Sequence, residues 1–100
     1  MEEFNQRQLN HMYHQIQAYE ASKLDLGGLI SSLESLLGCL KDMPDHWIND
    51  FREQWGVLEE VYSVAIVRQQ ELQSPDNRRQ VASALERVKD LVRDALAGAE

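Results

Sequence analysis

The chain has 100 residues, 43% of them hydrophobic, which is enough for one packed core but not two. Ten Lys and Arg stand against seventeen Asp and Glu, a net charge of −7, so nucleic acid and anionic membrane are poor partners and a cationic protein is a good one. The imbalance is local: residues 1–60 hold eleven acids and four bases, whereas residues 61–100 hold six of each.

No apolar run approaches the roughly 18–20 residues of a membrane span. The longest apolar-rich stretch, Leu29 to Leu40, is interrupted by Ser31, Ser32, Glu34 and Ser35. The amino end, MEEFNQRQLN, is acidic and polar, the reverse of a secretory signal, and a cytoplasmic location is expected. Cys39 is the sole cysteine, which excludes an internal disulfide; among leucines it reads as a small apolar filler.

Helical periodicity runs through nearly the whole chain and strand alternation is almost absent. Leu9, Met12, Tyr13, Ile16 and Tyr19 share one helix face, with His11, His14 and Ala18 opposite and Phe4 off the stripe. Ser22-Lys23-Leu24-Asp25 reads as a connection, with Asp25 capping the next helix. That second helix carries Leu26, Leu29, Ile30, Leu33, Leu36, Leu37 and Leu40 on one stripe. Gly27, Gly28 and Gly38 weaken it by about 1 kcal/mol each relative to alanine, less than the burial of so many leucines returns.

Asp42-Met43-Pro44-Asp45 is the next break, with Asp45 available as a cap. A third helix follows from about His46 to Gln73, its stripe made by Trp47, Phe51, Trp55, Leu58, Tyr62, Ala65 and Ile66. Both tryptophans are read as core residues; either one at the surface would become a binding hot spot. Ser74-Pro75-Asp76 stops and restarts the chain, with serine as cap, proline at the first helical position and an acid in the first turn. The fourth helix buries Val81, Ala84, Leu85, Val88, Leu91, Val92, Ala95 and Leu96 and frays at Gly98. Four amphipathic helices with short loops predict an all-α fold, an antiparallel four-helix bundle, over residues 1–100 as one domain.

Catalytic patterns are missing. His46 and Asp50 have i, i+4 spacing but make only two ligands, and His11 and His14 point away from the apolar stripe, so no metal or other cofactor is expected. Gly27-Gly28 lacks the spacing of a phosphate-binding loop, and adjacent acids such as Glu59-Glu60 diverge by about 100° around a helix. No enzymatic activity is expected. The bases Arg78, Arg79, Arg87, Lys89 and Arg93 alternate with Asp76, Glu86, Asp90 and Asp94, a pattern of helix-surface ion pairs such as Glu86 with Lys89 and Asp90 with Arg93.

One constellation stands out. Asp50, Glu53, Val57, Glu60 and Val64 follow steps of 3, 4, 3 and 4, a single helix face beside the aromatic stripe. Asp42 and Asp45 extend its acidity around the preceding turn. Acids interleaved with small apolar side chains suit a surface that attracts a cationic partner and then excludes water. The alternative is a solvated face whose two valines touch a neighbouring helix.

The stretch LISSLESLLGCLKDMPDHWINDFREQWGVLEEVYSVAI, residues 29–66, resembles the small helical immunity proteins encoded beside bacterial contact-dependent growth inhibition and other polymorphic toxins. They pair a Leu-rich helix with one of the form Trp-x-x-x-Phe-x-x-x-Trp-x-x-Leu-Glu-x-x-Tyr, matched here by Trp47, Phe51, Trp55, Leu58, Glu59 and Tyr62. The resemblance spans about four-tenths of the chain and implies a cytoplasmic protein that binds and blocks one cognate toxin domain, often a nuclease. It transfers no contact residue. A helical adaptor or accessory subunit, including a homodimer through the aromatic helix, stays open as the other interaction role.

Overall fold

A computed structural model describes residues 3–67 and 74–98. Four α-helices and no strand are found among the described residues: α1 (Glu3–Glu20), α2 (Leu26–Cys39), α3 (Asp45–Val67) and α4 (Pro75–Ala97). The fold is all-α. None of these helices is long and apolar enough to cross a membrane.

The first connection closes α1 with two backbone hydrogen bonds, Ser22 N to Tyr19 O (3.0 Å) and Lys23 N to Ala18 O (2.8 Å). That paired pattern needs a left-handed residue, and Ser22 supplies it at φ 61°. Asp25 then caps α2, its carboxylate accepting from Gly28 N at 2.7 Å. This satisfies one of the amides the helix start leaves open.

The second connection departs from expectation at two points. α2 ends at Cys39, well before the proline, because Leu40 turns extended (φ −69°, ψ 144°). Asp45 is no cap: Ile48 N bonds to Pro44 O at 3.1 Å, so the helix is entered from Pro44 and Asp45 sits in its first turn. There its carboxylate meets the positive end of the helix dipole instead of a single amide. Ser74, Pro75 and Asp76 start α4 as expected, with Ser74 Oγ accepting from Asn77 N at 3.4 Å. Residues 68–73, expected to extend the third helix, lie outside the described residues.

Each helix packs on its sequence neighbours, and α1 also packs on α4, closing a ring of four. The predicted stripes form one contiguous core of Leu9, Met12 and Ile16 from α1, six α2 side chains, Trp47, Phe51 and Leu58 from α3, and the valines and Leu85 of α4. Trp47 stacks on Phe51 with ring centroids 5.4 Å apart. The two indoles also act as struts, Trp47 Nε1 donating to Leu91 O (2.9 Å) and Trp55 Nε1 to Ile30 O (3.0 Å).

Three side chains are placed otherwise than their neighbours in sequence suggest. Cys39 is exposed, not buried filler, because it stands about 120° around α2 from the leucine stripe. Ile66 is exposed, and Val61 takes the core position instead, since Leu58, Val61 and Ala65 keep the 3, 4 spacing and Ile66 turns one residue past it. Asn5 is buried. It lies on the α1 stripe, one turn before Leu9, and clasps the backbone of Lys41: Nδ2 donates to the Lys41 carbonyl (2.6 Å) and the Lys41 amide donates to Oδ1 (3.0 Å). Phe4, off the stripe, is half-buried with Lys41 Nζ 5.2 Å from its ring centre. Together these contacts tie the start of α1 to the α2–α3 connection.

Candidate functional site

α3 carries five acids and one base, Arg52. Asp50, Glu53 and Glu60 are all exposed on it, with Asp45 exposed in its first turn and Asp42 exposed in the connection before it. Asp42 holds a left-handed backbone at φ 56°, a conformation aspartate tolerates better than most residues. None of these five carboxylates forms an ion pair with another described residue.

α4 is built the opposite way. It holds four acids and five bases, and three acids pair with a base one turn on: Asp76 with Arg79 (3.6 Å), Glu86 with Lys89 (3.4 Å) and Asp90 with Arg93 (3.2 Å). The last two are the pairs expected from spacing. Lys89 goes further than spacing suggests: it is buried and reaches Glu20 of α1 at 2.7 Å. Burial works against its charge, but the Glu20 and Glu86 carboxylates outweigh this and raise its pKa above the ordinary lysine value. Arg93 Nη2 donates to Tyr13 Oη at 3.1 Å, again toward α1. Among the described residues, acids are therefore paired with bases along α4 and not along the face that runs from Asp42 to Glu60 on α3.

The two valines of the α3 face divide. Val57 is half-buried and packs on the core, as the plainer account of that face has it, whereas Val64 is 36% exposed. Continuing the 3, 4, 3, 4 spacing by one more step of three reaches Val67, 81% exposed, which the sequence pattern pointed to without its being read. Glu60, Val61 and Val64 form one wall of a groove of about 600 Å³; Ser74, Asp76, Asn77 and Gln80 of α4 form the other. Among the described residues that line it, the charged ones, Glu60 and Asp76, are both carboxylates. Asp76 enters this surface only because α4 packs back on α3, which no local pattern announces. Asp42, Asp45, Asp50 and Glu53 do not line the groove; they continue the acidity toward the other end of α3.

A second concavity of about 520 Å³ lies between the α1–α2 turn and α4, with a floor of Leu26, Val81 and Leu85 and a rim that includes Lys23, Asp25 and Arg78. Tyr19 borders it, its hydroxyl pKa raised by burial against an opposing pull from Arg78. Both signs of charge meet at this rim, so it selects for neither.

His11 and His14 are exposed, and His11 Nε2 lies 3.0 Å from Gln15 Nε2. Among the described residues no three His, Cys, Asp or Glu side chains are grouped so as to hold a metal ion. No known family, curated protein or solved structure matches the chain.

Proposed function

We propose that this chain is an immunity protein, which binds a cognate basic toxin domain through the acidic face of α3 and blocks its active site or substrate groove. The observation that carries this reading is the contrast between the helices: exposed carboxylates on α3 that have no ion-pair partner among the described residues, and acids paired with bases along α4. A nuclease suits the field best, because sites that hold phosphates are commonly basic and an acidic inhibitor uses the same attraction. The resemblance of residues 29–66 to toxin immunity proteins supports the same reading, on which the protein works in the cytoplasm and meets an incoming toxin there. In this account the four helices alternate in direction as an antiparallel bundle. The pairings of Asn5 with Lys41, Trp55 with Ile30, Trp47 with Leu91 and Glu20 with Lys89 are consistent with that order.

Asp50, Glu53 and Glu60 supply complementarity to the bound partner, Asp42 and Asp45 contribute to steering, and Val64 helps dry the contact, with Val57 supporting the helix from beneath. The test begins with a tagged pull-down from the native organism across a salt series, identifying what elutes by mass spectrometry. A basic toxin domain retained one to one, with association slowed by salt, is the expected result. The triple variant Asp50→Lys, Glu53→Lys, Glu60→Lys should keep its circular dichroism spectrum, associate about 10–1,000-fold more slowly, and no longer protect cells. Undiminished binding by that variant removes the face from the mechanism.

The exposed Val64 and Val67 favour one further reading, a helical adaptor or accessory subunit that self-associates or joins a larger assembly without a toxin partner. Light scattering across a concentration series separates the two, since an obligate oligomer of the isolated chain supports the adaptor.

A further inference from the structure

We infer that the groove between the end of α3 and the start of α4 is the anchor point of the partner surface, and that its occupant is an amphipathic cationic segment of the partner protein. An apolar side chain of that segment seats on Val64 and Val67 while flanking bases meet Glu60 and Asp76. This rests on the partner-binding role of α3 proposed above and names the chemistry that the role selects.

Among the described residues the exposed large hydrophobics are Val64, Ile66 and Val67, all in the last turn of α3. Ile66 faces away, but Glu60, Val64 and Val67 stand at steps of 4 and 3 and share a face. Of that face, Glu60 and Val64 line the groove of about 600 Å³ beside the buried Val61, and Val67 continues the face one step beyond it. Ser74 Oγ is engaged in capping α4, and Asp76 makes a 3.6 Å contact with the exposed Arg79 one turn on. Exposed apolar surface and carboxylates thus adjoin in one place.

The composition of the groove discriminates among occupants. A neutral apolar segment would dry the valines but strip water from two carboxylates without pairing them. A purely cationic segment would satisfy the carboxylates and leave the valines wet. A second copy of this chain would bring Glu60 and Asp76 against their own kind, on a helix with five acids and one base, and is opposed by like-charge repulsion. A segment with leucine-like and arginine-like side chains one turn apart meets both demands, the long stem of the base covering apolar surface while its head reaches the acid.

The test uses the full chain, methyl- and amide-labelled, titrated with an acetylated twelve-residue helical peptide amide bearing leucines on one face and arginines on its flanks. Saturable shifts at the Val64 and Val67 methyls and the Gln80 amide are expected. Affinity should fall at least tenfold for the peptide with glutamates in place of arginines, and likewise with serines in place of leucines. It should also fall at least tenfold for Val64→Ser with Val67→Ser, and for Glu60→Gln with Asp76→Asn. All four side chains are exposed, so melting curves close to those of the parent chain show that these variants still fold. Shifts confined to another part of the chain, equal affinity for the leucine-free peptide, or shifts that track chain concentration without peptide overturn the inference. Repeating the valine variant against the captured partner keeps the two proposals apart. Loss of capture on charge reversal of α3, but not on Val64→Ser with Val67→Ser, sinks the anchor and leaves the immunity role standing; retention in both sinks both.

Discussion

Ser22 sits at φ 61°, where a side-chain carbon crowds the following carbonyl, yet the two hydrogen bonds that close α1 require that geometry. Replacing it by glycine removes the crowding and keeps the bonds. Ser22→Gly is therefore expected to stabilise the chain by about 1 kcal/mol, raising the melting temperature by roughly 4–8 °C. A thermal melt that is unchanged or lower would show that the serine side chain compensates for the strain. The connection itself is legible from Ser22 to Asp25 in the sequence, and so is the cap at Asp25. The left-handed residue is not, because neither glycine nor asparagine marks it. Asn5 presents a similar case. It falls in register with Leu9, Met12 and Ile16, but its partner is the backbone of Lys41, 36 residues on, and a polar residue in an apolar stripe names no partner.

At the scale of elements, the glycines of α2 and α3 carry different constraints that composition alone ranks alike. A methyl group at Gly27 would stand 2.8 Å from Tyr62 Oη and 3.0 Å from its ring, so this glycine is where α2 admits the tyrosine of α3. At Gly56, in the middle of α3, an added methyl meets nothing within 4 Å. Gly56→Ala is expected to stabilise by about 0.5–1 kcal/mol through helix propensity, and Gly27→Ala to destabilise by about 1 kcal/mol through overpacking. Urea denaturation of the two variants side by side checks the sign of each; equal gains would mean that Tyr62 yields freely. The local penalty assigned to Gly27 from propensity is real, but it is the cost of a close approach between helices. Register within each helix was legible throughout, since nearly every predicted stripe residue is buried or half-buried. The exception is Ile66, one residue past the buried Ala65; Cys39, read as filler among leucines, is likewise exposed because it stands off the leucine stripe.

Over the whole molecule, the contact of α1 with α4 closes the ring, and charge helps to hold it. Lys89 is buried between Glu20 and Glu86, with a pKa above the usual 10.5 because the two carboxylates outweigh the burial that disfavours its charge. A lysine whose folded-state pKa is raised contributes stability that is complete below the unfolded value and lost as pH climbs through the folded one. The stability difference between the parent chain and Lys89→Met should thus hold steady from neutral pH to about 10 and shrink above it. Urea melts of both chains between pH 7 and 12 measure it; a difference that stays constant to the top of that range would show that the ammonium charge adds nothing to closure.

Helix number, stripe membership and the start of α4 followed from spacing, caps and proline placement, because these depend on residues within a turn or two of one another. The acid-rich face of α3 was legible for the same reason, down to Val67 had the spacing been carried one step further. The groove was not. It needs Glu60 and Val64 to meet Asp76 and Gln80 across two helices, and which of α4's sides turns toward α3 is chosen by burial of Val81, Leu85 and Val88 in the shared core. Nor could spacing reveal that α3 keeps its charge while α4 spends its own, since the reach from Lys89 to Glu20 exists only when the first and last helices lie side by side. Local order is written in short-range periodicity; the surface that a partner would meet arises from packing between segments far apart in the chain.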